Sequence, residues 1–241
     1  MTTIQNKILK LKEIWDLNLI PQEHKHEVHP NLDISDRLNY TYFTFPVALN
    51  FQRNSPALWK AALDTFEDTA TNYLFYPEKV VETDIEKVRI DLRKHKLSLQ
   101  PNKHTDIWIK LAKTFRDKFE DDPRIFFKKY DFDVVKIKQA LEKDLKSSFP
   151  YLSGAKMANY WLYILYNYSD AKFANLDKIS IIPDTHVMQC SIQLGIATES
   201  DSREVVAEKW FEVLKGTNLI PIDMHPILWN WSRNNFKPEI N

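Results

Sequence analysis

A lysine and an aspartate attract attention because each follows a residue that constrains the backbone where an apolar helical pattern begins. Lys156 lies two residues after Gly154 in FPYLSGAKMANYW (149–161), and Asp184 directly follows a proline in IIPDTHVMQC (181–190). Backbone amides at a glycine-bearing turn that opens a helix lie at the positive end of the helix dipole and can hold a phosphate group. An aspartate in the second setting is most often an N-cap, because its carboxylate accepts hydrogen bonds from free amides.

Two helical patterns flank Gly154. Residues 133–148, DVVKIKQALEKDLKSS, carry an apolar stripe. Residues 155–168 carry a second one, formed by Met157, Trp161, Ile164, Leu165 and Tyr168. Only Phe149 to Gly154 remains to join them, so we predict a tight turn in which Gly154 adopts a positive φ and lets another backbone come close. Taken alone, this hairpin is more typical of a helix–turn–helix corner in an ordinary helical bundle than of a phosphate site.

The rest of the chain supports an all-α prediction. Apolar residues recur at helical spacing in most segments, which predicts about ten helices with short connections. Gly195 and Gly216 fall where helices would end, and Ser55-Pro56 suits a helix start. Only residues 41–51, TYFTFPVALNF, alternate aromatic and β-branched residues well enough to suggest a short strand. No linker is visible, so we treat residues 1–241 as one domain whose two lobes would arise from helix packing.

The amino-acid composition restricts the classes of function that the protein can have. The 241 residues are 44% hydrophobic with a formal net charge of zero, which predicts a folded globular protein without an overall charge that would mark nucleic acid or anionic membrane as its partner. The single cysteine, Cys190, excludes a disulfide framework, a cysteine-based zinc site and a cluster held by four thiolates. The histidines of EHKHEVH (23–29) indicate a polar loop rather than a metal site. We expect no cofactor, no metal, no membrane span and an intracellular location, in the cytoplasm, nucleoid or nucleus.

The order of these features resembles a known family. A helix, a hairpin, Gly-x-Lys, a helix and then Pro-Asp-x-His-Val at the start of another helix is similar to the helix-hairpin-helix superfamily of DNA glycosylases, which contains endonuclease III and the 8-oxoguanine DNA glycosylases. The resemblance covers roughly residues 100–235 and is sharpest at LSGAK (152–156) and PDTHV (183–187). It implies a two-lobed helical glycosylase fold with its hairpin at residues 149–156.

The resemblance also implies roles for individual residues. Lys156 would attack the sugar, and Asp184 would assist the lysine. The partner would be double-stranded DNA whose damaged base is flipped out of the helix, and the protein would act as a monomer. The positions that would hold backbone phosphate are Leu152, Ser153, Gly154, Ala155 and His186. Lys156 must be neutral to attack, and we expect burial beside Tyr160 to lower its pKa. A Schiff base and strand cleavage by β-elimination would follow.

Two departures from the family pattern refine the expectation. Leu152 stands where the family's hairpin has the first of two glycines. The separation of the lysine and the aspartate, 184 − 156 = 28, is longer than in endonuclease III-like members. Together with the missing cluster cysteines, this spacing favours the archaeal-type 8-oxoguanine glycosylase branch. The expected lesion is therefore an oxidised purine, with 8-oxoguanine first.

The base pocket is predicted from residues that can stack on a purine or hydrogen bond to its edge. These candidates are Gln52, Asn50, Tyr160, Asp223, Trp229, Trp231 and Phe236. Two other functions stay open. One is an N-glycosidase of a modified nucleoside or nucleotide in salvage, in which Asp184 would activate water. The other is a helix-hairpin-helix DNA-binding module without catalysis.

Overall fold

The computed structural model describes residues 2–21, 27–51 and 53–240, and the regular secondary structure within these ranges is helical. Within these ranges there is no β-strand, and an isolated bridge joins Asp133 to Ala174. The twelve α-helices described are α1 (Thr3–Asp16), α2 (Arg37–Tyr42), α3 (Ser55–Glu67), α4 (Pro77–Glu82), α5 (Ile85–Lys94), α6 (Pro101–Phe119), α7 (Pro123–Lys129), α8 (Val134–Glu142), α9 (Ala155–Tyr168), α10 (Thr185–Gln193), α11 (Arg203–Leu214) and α12 (Met224–Arg233). Short 3₁₀ helices are Pro46–Leu49, Asn72–Phe75, Leu176–Lys178 and Pro221–Asp223. The all-α prediction is confirmed.

The chain divides into two compact units. The first combines residues 1–25 with residues 176–241 and contains α1, α10, α11 and α12. The second comprises residues 26–175 and contains α2 to α9. None of the helices in the described ranges combines the length and the apolar composition that a membrane crossing requires.

In the first unit, α10 packs against α12, and α1 packs against α11 and α12. The apolar stripe of α1 is the reason, because its Ile8, Leu11 and Ile14 are buried in a shared core. That core also contains Val187, Cys190, Trp210, Leu228 and Trp231. The buried thiol of Cys190 therefore acts as a small apolar group.

The second unit is organised around α6, its longest helix at 19 residues, which packs against α4, α5 and α7. Its core is unusually aromatic. Fully buried rings come from Tyr40, Tyr42, Phe43, Phe45, Trp59, Phe75, Trp108, Phe115, Phe126 and Trp161. Edge-to-face and offset contacts link these rings into one continuous cluster, for example Phe45 with Trp108 at 5.1 Å between centroids.

Local capping explains where several helices begin and end. Side chains of Asp36, Asp84, Asp122, Asp133, Asp184 and Ser202 accept hydrogen bonds from first-turn amides. The expected stops are confirmed, since Gly195 and Gly216 adopt φ values of 76° and 79° just after α10 and α11. The start predicted at Ser55-Pro56 is displaced by one residue, because Asn54 is the N-cap.

The strand suggested for residues 41–51 is wrong. Tyr42 ends α2, and Pro46–Leu49 forms a 3₁₀ helix. Every residue from Tyr40 to Leu49 is buried. A segment enclosed on all sides carries large apolar residues regardless of its backbone, so alternation loses its value as a strand signal there.

The connection between α8 and α9 is longer than predicted. α8 ends at Glu142 rather than near 148, and residues 143–154 form a succession of turns that bury Leu145 and Phe149. Gly154 is not in the left-handed region, since its φ is −76° and its ψ is 141°. Its absent side chain is needed for the close approach that we expected, because a Cβ at Gly154 would lie 3.3 Å from the carbonyl oxygen of Tyr151. Tyr151 itself takes the positive φ, at 64°.

Candidate functional site

The N-terminus of α9 is the first component of the candidate site. Gly154 is the N-cap, and no side chain in the described part of the chain caps the helix there. The first helical residues, Ala155 and Lys156, are exposed. Their amides lie at the positive end of a 14-residue helix, which is the setting that stabilises an anion.

The turn before α9 uses most of its own amides. Leu152 N–H donates to Pro150 O at 2.8 Å, Ser153 N–H to Phe149 O at 3.0 Å, and Gly154 N–H to Tyr151 O at 3.0 Å. The Leu152 side chain is fully buried. The prediction that Leu152, Ser153 and Gly154 hold phosphate is therefore wrong for their backbone amides, and the amides available to an anion begin at Ala155.

Lys156 is exposed, which contradicts its predicted burial beside aromatic rings. Trp161, by contrast, is fully buried. The physical reason lies in helix geometry, because Met157 and Trp161 are on the buried side of α9, whereas Lys156, one residue before Met157, is on another side of the helix. The ammonium group of Lys156 therefore reaches solvent rather than lying among the rings of the core.

A different lysine, Lys138 on α8, is partly buried. Burial lowers the pKa of its ammonium group. Its Nζ donates to Asn159 Oδ1 on α9 at 3.3 Å. In the sequence, Lys138 belongs to a series of lysines interleaved with acidic residues. This pattern is typical of a solvated face, so the partial burial of Lys138 was not predicted.

Asp184 is the N-cap of α10. Its Oδ1 accepts a hydrogen bond from Val187 N–H at 2.9 Å. This geometry confirms the capping interpretation of the Pro-Asp pair. Lys156 belongs to the second unit and Asp184 to the first, and each is described within its own unit.

Replacing Asp184 by alanine should lower the free energy of unfolding by about 1 kcal/mol, because the first-turn amide of Val187 loses its acceptor. Asp184→Asn should stay within a few tenths of a kcal/mol of the wild type, since asparagine caps helices equally well. Urea denaturation monitored by circular dichroism measures both values. Equal losses for the two variants would mean that the carboxylate charge, rather than the cap, stabilises this helix.

His186 and Trp229 contact each other in the first unit, with ring centroids 5.4 Å apart. Ser232 Oγ donates to Gln189 Oε1 at 3.0 Å, so His186 Nδ1, also 3.0 Å from Ser232 Oγ, is the donor to that hydroxyl. In the neutral ring Nε2 is then an acceptor. A phosphate contact through Nε2 therefore requires the protonated imidazole.

The C-terminal candidates for the base pocket differ in exposure. Trp229 is partly exposed, and the Arg233 guanidinium lies 4.5 Å from its ring centroid. Trp231 is a core residue, and Phe236 packs against it. These two rings help to line a cavity of about 240 Å³ in the first unit. Burial raises the pKa of Asp223, which precedes α12.

Tyr160 lies at the centre of a hydrogen-bonded cluster in the second unit. Its hydroxyl is 3.0 Å from Glu27 Oε1 and 2.8 Å from Ser55 Oγ, and it accepts from Trp59 Nε1 at 2.9 Å. Ser55 and Trp59 lie on the first turns of α3, whereas Glu27 precedes α2. Tyr160 was predicted as a substrate contact, but its three partners were missed, because each lies more than 100 residues from it in sequence.

Glu27 is the carboxylic acid of this cluster, and its pKa is shifted. Burial raises the pKa of its carboxyl group to about 7, and hydrogen bonds from Tyr160, Ser55 and Trp59 oppose that change. Asn50, another predicted pocket residue, donates weakly to Ser55 Oγ at 3.4 Å, and its buried Oδ1 has no hydrogen-bond donor among the described residues. Gln52 lies outside the described residues.

The predicted histidine loop gives no metal site that the structure describes. His24 and His26 lie outside the described residues, and the His29 ring packs against Phe43 and Tyr168. Over the described ranges, no group of three or more histidine, cysteine, aspartate or glutamate side chains is arranged to hold a metal ion.

The chain was compared with protein-family models, with curated proteins and with solved structures, and no match was found in any of the three comparisons.

Proposed function

We propose that the protein is a DNA glycosylase with AP lyase activity that removes an oxidised purine, with 8-oxoguanine as the first candidate lesion and Lys156 as the nucleophile. One observation carries the proposal: the exposed amine of Lys156 belongs to the second residue of a helix whose N-terminus is capped by no side chain of the described residues. A backbone phosphate held by the first-turn amides would lie beside this amine. The order of the hairpin, Lys156 and the capping Asp184 along the chain supports the same family.

The reaction begins with a base flipped out of the duplex. The neutral amine of Lys156 adds to C1′ as the glycosidic bond breaks, and the opened sugar forms a Schiff base with the lysine. The iminium acidifies the C2′ proton, so β-elimination cleaves the strand on the 3′ side. By the resemblance to the family, the proposal assigns to Asp184 the role of the carboxylate that accepts a proton.

Borohydride trapping on a duplex with one 8-oxoguanine tests the proposal. Wild type should give a covalent protein–DNA adduct, and Lys156→Gln should give none, because glutamine cannot form a Schiff base. Asp184→Asn retains the helix cap and should trap at least about tenfold more slowly, since it lacks a proton acceptor. No adduct with wild type, on this duplex or on one with an abasic site, would refute the lyase chemistry.

Two lysines provide matched controls for this experiment. Lys146→Gln removes an exposed amine from the turn before α9 and should keep the adduct. Lys138→Gln removes the partly buried amine whose pKa is lowered. An adduct that requires Lys138 and survives Lys156→Gln would assign the nucleophile to α8 instead. Duplex binding that is identical in all variants without any adduct would favour a binding module without catalysis.

A second candidate function is an N-glycosidase of a free nucleoside or nucleotide. It is favoured by the zero net charge of the chain and by the internally bonded amides of the turn before α9, both of which weaken the case for a polyanionic partner. Salt dependence separates the two candidates. Affinity for a duplex that contacts Z phosphates should fall with a log–log slope of about −0.9Z, whereas a nucleoside should show almost no slope.

A further inference from the structure

The carboxyl group of Glu27 is held by side chains of two helices, α3 and α9. Tyr160 on α9 and Ser55 on α3 both contact Oε1, and the Glu27 backbone N–H donates to the Tyr168 hydroxyl at 2.8 Å. The Trp59 indole N–H donates to Tyr160, so the one proton of the tyrosine hydroxyl is directed towards Glu27 or Ser55. Such a carboxyl group is held in one orientation rather than left to rotate.

The surroundings of Glu27 favour its uncharged form. The titratable groups that face it are the hydroxyls of Tyr160 on α9, Tyr168 on α9 and Tyr42 on α2, and burial raises the pKa of all three, so they stay neutral. His29 lies two residues after Glu27 in the same segment, and its ring packs against Tyr168. No lysine or arginine in the described ranges pairs with Glu27. A carboxylic acid that keeps its proton near neutral pH is a proton donor.

The cluster is not sealed inside the core. Glu27, Asn50, Ser55 and Tyr160 are each partly exposed, whereas Trp59, which donates to Tyr160, is fully buried. The Oδ1 of Asn50, which has no hydrogen-bond donor within the ranges that the structure describes, adds an acceptor beside Ser55. Polar groups at a partly exposed position can hydrogen bond to the edge of a heterocyclic base.

The cluster is also close to Lys156 along α9. Tyr160 follows Lys156 by four residues, so their side chains start from the same face of the helix, one turn apart. The Tyr160 hydroxyl in turn contacts Glu27. A nucleoside bound with its sugar at the lysine would extend its base towards this cluster.

We propose that Glu27 is the general acid that protonates the departing purine, an inference that rests on the proposed glycosylase function. The Lys156 nitrogen forms a bond to C1′, the bond between C1′ and the base nitrogen breaks, and its electron pair goes to the base. The carboxylic acid of Glu27 gives its proton to a ring nitrogen of the purine and becomes a carboxylate. The base leaves neutral, and the later opening of the sugar and β-elimination do not involve Glu27.

Glu27→Gln tests the inference, because glutamine keeps the shape and hydrogen bonding of the side chain but cannot transfer a proton. Single-turnover release of 8-oxoguanine from a duplex should slow about 100-fold or more. Strand cleavage at a preformed abasic site should be unchanged, since no base leaves in that reaction. Glu142→Gln, an exposed carboxylate on α8, is the matched control and should leave both rates at the wild-type value.

The pH profile distinguishes an acid from a merely structural residue. Wild-type base release should fall above about pH 7, the pKa that burial gives Glu27, and this alkaline limb should be absent in Glu27→Gln. Tyr160→Phe removes a hydrogen bond that lowers the Glu27 pKa, so it should move the limb to higher pH.

The outcomes separate this inference from the function on which it rests. Wild type without base release or lyase activity would overturn the glycosylase proposal itself. Base release in Glu27→Gln at the wild-type rate, with lyase activity intact, would overturn only the role of Glu27. Equal losses of both activities in Glu27→Gln would show a structural role and would also overturn it.

Discussion

Replacing Trp161 by alanine is expected to lower the free energy of unfolding by about 4 kcal/mol. The indole is fully buried and lies against the rings of Phe126 and Phe127, with centroids 5.5 and 5.0 Å away. Its Nε1–H donates to Thr44 Oγ1 at 2.9 Å, and that hydroxyl is also fully buried. Alanine therefore leaves a cavity among aromatic rings and removes a hydrogen bond. Urea unfolding at pH 7 measures the change.

Trp161→Phe separates the two contributions. Phenylalanine keeps much of the ring packing but cannot donate to Thr44, so the expected loss is about 1 to 2 kcal/mol. Trp229→Ala is a matched control for removing an indole from a partly exposed position, and it should cost less than half as much as Trp161→Ala. A Trp161→Ala protein within about 1 kcal/mol of wild type would contradict the packing of α9 on the aromatic core.

Glu27→Gln is expected to stabilise the protein at high pH and to change its stability little at low pH. In the folded protein the pKa of Glu27 is raised from 4.5 to about 7, so the folded state holds a proton that the unfolded chain releases. Its stabilising contribution is complete below pH 4.5 and is lost as the pH rises through 7. Between pH 5 and pH 8 the wild type should lose about 2 kcal/mol that Glu27→Gln retains.

The difference between the two proteins is the quantity to measure, because every other titrating group is common to both. Guanidinium unfolding at pH 5, 6.5 and 8 should give two curves that diverge as the pH rises. Glu142→Gln should follow wild type at each pH, since that side chain is exposed. Parallel curves for Glu27→Gln and wild type would mean that the Glu27 carboxyl ionises in the folded protein as readily as in the unfolded chain.

Helix existence and many helix ends could be predicted from the sequence because their causes are local. Apolar spacing along Val134, Ile137 and Leu141 marks a buried face within three turns of one helix, and the structure buries all three residues. Asp184 was recognised as a cap, and the left-handed conformations of Gly195 and Gly216 follow from the residue type. Each of these signals involves residues a few positions apart.

Signals failed where burial or turn geometry depends on distant parts of the chain. Residues 41–51 carry the apolar pattern of a strand because helices from elsewhere in the second unit enclose them. The turns at 143–154 formed a longer connection because Leu145 and Phe149 enter the aromatic core. The first unit brings α1 together with α10, α11 and α12, which are far from α1 in sequence, and no local sequence pattern predicts this association.

By itself the sequence determined the helical class, the positions of most helices, the presence of a single cysteine and the order of Gly154, Lys156 and Asp184 along the chain. Only the tertiary structure decided that Lys156 is exposed, that the turn before α9 satisfies its own amides, and that Glu27 meets Tyr160 in a partly buried cluster. The physical reason is that helix formation follows from neighbours a few residues apart, whereas desolvation and side-chain hydrogen bonding depend on what packs against a residue from anywhere in the chain.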